Sequence, residues 1–191
     1  MGDIHTKGIK TGKRKNLKSN VIARKLYLCY PTHAFMGDEK SYDMQFDIYN
    51  EISEYFNISI NSIKAAGSGQ TGHSFYKNTD FNPGKSDLDI AIIDLNLFNR
   101  YIEIVYKNTN GLRDRSKFKD DGTYKQYCSY LAKGIFRPDL MPYCKERREW
   151  FAFFNKLSER YFELFKDINA GIYASQQFFE FKQAESLENI K

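Results

Sequence analysis

The sequence predicts an α+β fold in a single domain. Three observations carry that reading. Aromatic and aliphatic side chains recur every three or four residues in several polar segments, the spacing of amphipathic helices. Between them lie short apolar runs of strand length. Clusters of Gly, Pro, Asn and Ser separate the two kinds of segment. A chain of 191 residues suits one such domain and buries a substantial core.

The first 25 residues are rich in Lys, Gly, Thr and Asn and show no regular period, so they read as an extended basic arm preceding a domain over 26–191. A short apolar stretch, Val21 to Tyr30, ends at Pro31. From Asp38 to Phe56, Tyr42, Phe46, Tyr49, Ile52 and Phe56 define a first amphipathic helix. A short strand follows near 62–67. Residues 67–86, GSGQTGHSFYKNTDFNPGKS, read as loop. DLDIAIIDL (Asp87–Leu95) is apolar at nearly every position after Asp89 and reads as a buried strand. Helices are predicted at Leu97–Tyr106, Tyr124–Leu131 and Trp150–Phe165, with a charged loop over 108–121. GIFRPDLMP (Gly134–Pro142) is an extended element broken by Pro138. Ile168–Tyr173 reads as a final strand. Ser175 is a helix N-cap signal ahead of Gln176–Ile190, where Phe178, Phe181, Ala184, Leu187 and Ile190 recur every three residues. A strand through Phe178–Phe181 is the competing reading.

Charge is unevenly placed. The net charge is +5, yet residues 1–37 hold eight Lys or Arg and one acid, Asp3, for a local charge of +7. The other 154 residues hold 21 basic and 23 acidic side chains and come to −2. Such an arm is suited to phosphate contacts or is simply solvated. Aromatic content of 16% and hydrophobic content of 41% exclude a wholly disordered chain. No apolar run reaches the roughly 18 residues of a membrane span, and MGDIHTKGIK lacks the apolar core of a secretory signal. Cys29, Cys128 and Cys144 cannot all pair and show no CxxC spacing, so a reduced, cytoplasmic chain away from the membrane is expected.

One constellation carries chemistry. Asp87 and Asp89 stand two apart on a predicted strand and therefore share a face. Carboxylates held side by side repel unless a cation lies between them. Hard divalent cations take oxygen from one or two carboxylates and complete their shells with substrate phosphates. Upstream, Gly67-Ser68 follows a predicted strand, where a turn offers bare N–H groups and a hydroxyl to phosphate. GSGQTG lacks the Lys-Ser/Thr ending of a Walker A loop, and Ser68 has neither a GxSxG elbow nor an Asp–His partnership.

Gly67-Ser68 with Asp87-Leu88-Asp89 resembles the GS…DxD signature of the DNA polymerase β-like nucleotidyltransferases. GSGQTGHSF…KSDLDIAIID resembles in particular small bacterial nucleotidyltransferase-domain proteins. The motif-level likeness covers residues 60–95. It implies a nucleotidyltransferase fold, a small mixed sheet flanked by helices. It implies that Gly67 and Ser68 hold an NTP, with Gly69, Gln70, Thr71, Lys85 and Ser86 as neighbouring contacts. Asp87 and Asp89 would bind Mg²⁺ or Mn²⁺ and serve catalysis. The expected reaction moves an NMP from the NTP to a protein, an RNA end or another nucleotide. The resemblance also suggests a partner protein and a role in toxin–antitoxin or phage-defence systems.

Two departures bear on activity. Eighteen residues, 69–86, separate Ser68 from Asp87, where the family pattern has about a dozen or fewer; the surplus is a loop at the mouth of the site. The family also uses a third carboxylate from a later strand. Asp139 in RPDL is one candidate and Glu180 in FFEF another, the helical reading counting against Glu180. Without a third acid, the alternative is a catalytically degenerate member that binds nucleotide or nucleic acid within a larger complex.

Overall fold

A computed structural model of the chain describes residues 4–188. In chain order the elements are α1 (Ile4–Arg14), α2 (Ser19–Arg24) with a π-helical turn at Lys25–Cys29, α3 (Glu39–Phe56), β1 (Ile63–Ala66), α4 (Gly67–Thr71), β2 (His73–Ser74), β3 (Thr79–Asp80), β4 (Leu88–Ile93), α5 (Leu95–Asn108), α6 (Asp121–Ala132), β5 (Ile135–Phe136), α7 (Lys145–Arg160), β6 (Ile168–Tyr173) and α8 (Gln176–Glu188). The architecture is α+β. A four-stranded mixed sheet runs in the order β1-β4-β6-β5, with helices on both faces. β4 pairs antiparallel with β1 and parallel with β6, and β5 closes the other edge antiparallel to β6.

Alternation along β4 divides the interior. Leu88, Ile90 and Ile92 enter one cluster with α3, α5, α7, Phe136 and Ile172. Ala91 and Ile93 point the other way, into a second cluster with Ile22, Leu26, Tyr27, Phe179, Ala184 and Leu187. The first cluster is strongly aromatic. Trp150 packs on Phe56, Tyr101 and Phe154 at centroid distances of 4.8, 5.1 and 5.0 Å. Among the described residues no helix is long and apolar enough to cross a membrane, and the three cysteines are unbridged.

The predicted helix over 38–56 matches α3. Asp38 caps it by accepting from the Ser41 backbone N–H at 3.0 Å, and Asn57 ends it in a left-handed conformation. Asp94 and Asp120 cap α5 and α6 in the same way, accepting from Leu97 at 2.7 Å and Thr123 at 2.6 Å.

Three local expectations are corrected. The segment read as an extended arm forms two helices over its described residues, α1 and α2, joined by a turn at 15–18. Its glycines had argued against a helix, but Gly8 and Gly12 are what let α1 lie against α2. A Cβ at Gly12 would stand 2.7 Å from Ile22, and one at Gly8 would stand 2.9 Å from the Tyr30 ring. Tertiary contact thus overrides weak propensity. The 67–86 segment is not all loop: it contains α4 and the small β2–β3 hairpin, paired His73 to Asp80 and Ser74 to Thr79. On α8 the buried side is Phe179, Glu180, Gln183, Ala184 and Leu187, while Phe178 and Phe181 are exposed. The three-residue spacing predicts the helix, but it does not mark the buried side, which follows Phe179, Gln183 and Leu187 instead. Ile190 lies outside the described residues.

Glu180 is buried because it has partners. Arg24 donates to it through Nε at 2.7 Å and Nη2 at 2.9 Å, and Gln176 donates at 2.7 Å. The Arg24 guanidinium holds the Glu180 carboxyl below its ordinary value, and Gln176 adds to this. The ionised pair therefore stabilises the folded chain above the unfolded carboxyl value of 4.5, and that contribution fades as pH falls through the lower folded value. The gap in urea midpoint between the native protein and Glu180→Gln is expected to be widest at neutral pH and to narrow in acid below 4.5. A gap independent of pH would contradict the ion pair's role.

Candidate functional site

The candidate site lies where β1 ends and β4 begins. Their register sets Ala66 opposite Asp89, so the chain leaving β1 at Gly67 passes directly beside the Asp89 carboxylate. Gly67 has φ of +58°, which disfavours L side chains, and a Cβ there would fall 2.5 Å from Asp89 Oδ2. Only glycine fits both demands. The two halves of the sequence motif, 22 residues apart between Gly67 and Asp89, are therefore in contact.

Both acids face a cleft of about 1060 Å³. Gly67 and Ser68 form part of its floor, the hairpin residues His73 to Lys77 form one wall, and Lys182, Gln183 and Ser186 of α8 form the opposite wall. Lys77, Lys85 and Lys166 also line it, and among the described residues none of these three forms an ion pair. Lys182 pairs with Glu185 at 2.6 Å. His73 contacts Asp80 at 2.7 Å and so fastens the hairpin rather than standing free.

Electrostatics single out the acids. The Asp87 Oδ1 atom is buried and has no hydrogen-bond partner among the described residues, an arrangement that costs free energy unless something else satisfies it. The Asp89 carboxylate keeps a face on the cleft, but protein surrounds it on most sides. Burial raises it above its ordinary value, the adjacent Asp87 charge adds to the rise, and Lys77 and Arg137 oppose it. A cation between the two carboxylates would relieve both the repulsion and the unsatisfied oxygen. The donor set is hard oxygen, as Mg²⁺ or Mn²⁺ requires. Among the described residues no third His, Cys, Asp or Glu joins them.

The remaining predicted residues divide. Ser68, Lys85 and Ser86 line the same cleft as the acids. Gly69, Gln70 and Thr71 are buried beneath it. Gln70 donates to the Leu26 and Tyr30 carbonyls at 2.9 and 3.2 Å and accepts from Thr32 at 2.8 Å. Thr71 donates to backbone carbonyls of its own turn. These two side chains hold the turn in place and do not reach the cleft. Glu180, one candidate third acid, is bound to Arg24 and lines neither cleft described here.

Asp139, the other candidate, lines an adjoining cleft of about 540 Å³ that also contains Gly67 and Asp89. Its carboxylate is gripped by Arg137 at 3.0 and 2.6 Å, which sets it apart from the Asp87–Asp89 pair. The second cleft includes Asn155 and Asn169. Asn169 is directly across from Asp89 in the parallel β4–β6 register, so a neutral amide flanks the acid pair on that strand. Sequence reasoning missed Asn169, Lys166 and Lys182. The strand bearing Asn169 and the helix bearing Lys182 were foreseen, but Lys166 lies in the connection before β6, and nothing local announces a parallel pairing between segments some 80 residues apart (88–93 with 168–173).

Replacing Gly67 by Ala is expected to lower the thermal midpoint by at least about 2–4 °C, the shift for about 1 kcal/mol in a chain of this size. Gly37→Ala, where a Cβ meets only Ser41 Oγ at 3.4 Å, is the control and should be near neutral. Equal midpoints for the two variants would refute the close approach at Asp89. No known family model matches the chain, and no curated protein or solved structure matches it.

Proposed function

We propose that the protein is a metal-dependent nucleotidyltransferase that moves an NMP from an NTP to a hydroxyl acceptor. The observation that carries this reading is the unpartnered Asp87 Oδ1 beside Asp89, set against Gly67 in a lysine-lined cleft. The fold supports it only at the coarser level of a small mixed sheet flanked by helices. The volume of the cleft suits a ligand of nucleotide size.

In this reading Asp87 and Asp89 hold Mg²⁺ or Mn²⁺, and the bound ion supplies charge neutralisation at the phosphates. The chain's own residues do the positioning. Gly67 allows close backbone approach, and Ser68 offers its hydroxyl. Lys77, Lys85 and Lys166 face the same space as fixed positive charge. Phe75 and Tyr76 on the hairpin provide ring faces on which a base can stack. The second cleft, which meets the first at Asp89, receives the acceptor; an RNA end, a protein side chain or another nucleotide satisfies its chemistry. The acceptor oxygen bonds to the α-phosphorus, the bond from that phosphorus to the bridging oxygen breaks, and pyrophosphate leaves. The acceptor proton passes to solvent. Orientation in the two clefts supplies much of the acceleration.

A second reading is favoured by Asn169. With an amide rather than a carboxylate beside Asp89, and no third acid at the pair among the described residues, the protein binds nucleotide without transferring it, as a regulatory subunit of a larger complex.

The test is incubation with each α-labelled NTP and Mg²⁺ or Mn²⁺, with and without RNA. The transferase reading expects label on an acceptor, lost by at least a hundredfold in Asp87→Ala/Asp89→Ala. Label transfer by that double variant would eliminate the proposed metal site. Metal-dependent NTP binding by the native chain without transfer would establish the second reading instead.

A further inference from the structure

We propose that α1 and the turn leading to α2 form a docking surface for the phosphate backbone of a nucleic acid. The surface is separate from the cleft, and the inference does not rest on the nucleotidyltransferase reading.

The helix has two unlike sides. His5, Gly8, Ile9 and Gly12 are buried against the body. Lys7, Lys10 and Arg14 are exposed at spacings of three and four, Lys13 is half-buried beside them, and Lys15 and Lys18 are exposed in the following turn. These six cations form a ridge on a helix roughly 16 Å long at 1.5 Å per residue. No acidic residue occurs from 4 to 37. Among the described residues none of the six forms an ion pair. Arg24, the one cation of this segment that does, turns inward to Glu180.

Such a ridge is unfavourable in isolation. Like charges three and four apart on a helix, as at Lys7–Lys10, Lys10–Lys13 and Lys10–Arg14, destabilise it. Two glycines and the absence of any acid in the first turn weaken it further. Packing by Gly8 and Gly12 holds the helix in place despite this, with all its charge outward. A linear polyanion relieves the repulsion along the whole ridge.

The form of the ridge selects nucleic acid over a membrane surface. Interfacial helices insert an apolar face among lipids. Here Ile9 lies beneath the helix at 2% exposure, and the partly exposed Ile4 and Leu17 stand at opposite ends of the segment. What remains outward is charge at short, regular intervals. A nucleic-acid strand carries one phosphate per 3.4 Å of duplex axis.

The experiment measures binding of the full chain to a fluorescein-labelled 20-nucleotide RNA and to a DNA duplex of equal length, by anisotropy, between 50 and 200 mM NaCl. Five phosphate contacts predict a slope of log Kd on log salt near 4.5 for the duplex, a weakening of about 500-fold over that range, and near 3.5 for the single strand, about 130-fold. The variant Lys7→Gln/Lys10→Gln/Arg14→Gln/Lys15→Gln should lower the slope by about 3–4 and weaken binding at 50 mM salt at least a hundredfold. Its far-ultraviolet circular dichroism should match the native protein, and its thermal midpoint should be equal or higher, since the ridge repulsion is relieved. If that variant loses the fold, the milder Lys10→Gln/Arg14→Gln should lower the slope by about 2. Lys107→Gln/Lys145→Gln, removing lysines paired to Glu103 and Glu149, should change Kd less than twofold. No binding to either nucleic acid at 50 mM salt overturns the proposal. So does binding that the ridge variants leave intact. Capture by phosphatidylserine vesicles with no nucleic-acid binding would assign the ridge to a membrane and also overturn it.

Discussion

The structure depends on β4 being paired along both edges and covered on both faces. All six of its residues pair with β6 and four of them, Asp89 to Ile92, pair with β1, while its apolar side chains feed two separate clusters. A strand so enclosed tolerates ionised groups only at its ends, where water or a ligand can reach them. Asp87 and Asp89 occupy the entry to the strand, and Asp94 follows it as the cap of α5. Asp89 is thus held by a strand paired along both edges, and Asp87 immediately precedes it. Their geometry is set by sheet pairing rather than by a loop, which is what a preorganised charge site needs.

The same pairing explains why the glycine at 67 and the acids at 87 and 89 act as one feature. β1 ends against the start of β4, so the turn after β1 has to pass over Asp89. Gln70 and Thr71, read as nucleotide contacts, instead anchor that turn to the chain over 26–32. The residues that shape the turn and the residues that face the cleft are interleaved: Gly67 and Ser68 outward, Gly69 to Thr71 inward. One short helical turn divides them.

Much of the fold could be read from spacing alone. The helix at 39–56, the strand at 88–93 and the strand at 168–173 all announce themselves by period and by caps. What escaped is long-range. α1 carries two glycines and few apolar residues, and its stability comes from contact with Ile22, Leu26 and Tyr30, which no local window contains. The inward face of α8 contains Glu180, a residue that becomes an interior one only when Arg24 arrives from the other end of the chain. The floor of the cleft was legible in Gly67, Ser68, Asp87 and Asp89. Its walls were not, because Lys166 and Lys182 reach it, and Asn169 reaches the adjoining cleft, only through strand pairing and helix packing.

Charge now has a physical pattern. Over most of the surface, acids and bases neutralise one another nearby: Lys107 with Glu103, Lys125 with Asp121, Lys145 with Glu149. Asp38 and Asp120 are taken up by helix caps, and the hydrogen bonds from Ser41 and Thr123 hold both carboxyls below their ordinary values. Charge at the cleft and charge on the α1 ridge differ in kind. In the cleft it is mixed, with paired carboxylates facing lysines, so the complement it calls for contains both a cation and an anion. On the α1 ridge it is of one sign only, and the complement is an extended anion. The two surfaces are joined through α8, which packs Glu180 against Arg24 beside the N-terminal helices and turns Lys182, Gln183 and Ser186 into the cleft. α1, weak helix former as it is, is held by α2 and the turn after it through the close approaches at Gly8 and Gly12. Its docking completes the cover over one face of the sheet, and the cations come with it because the solvent side is the only place they can go.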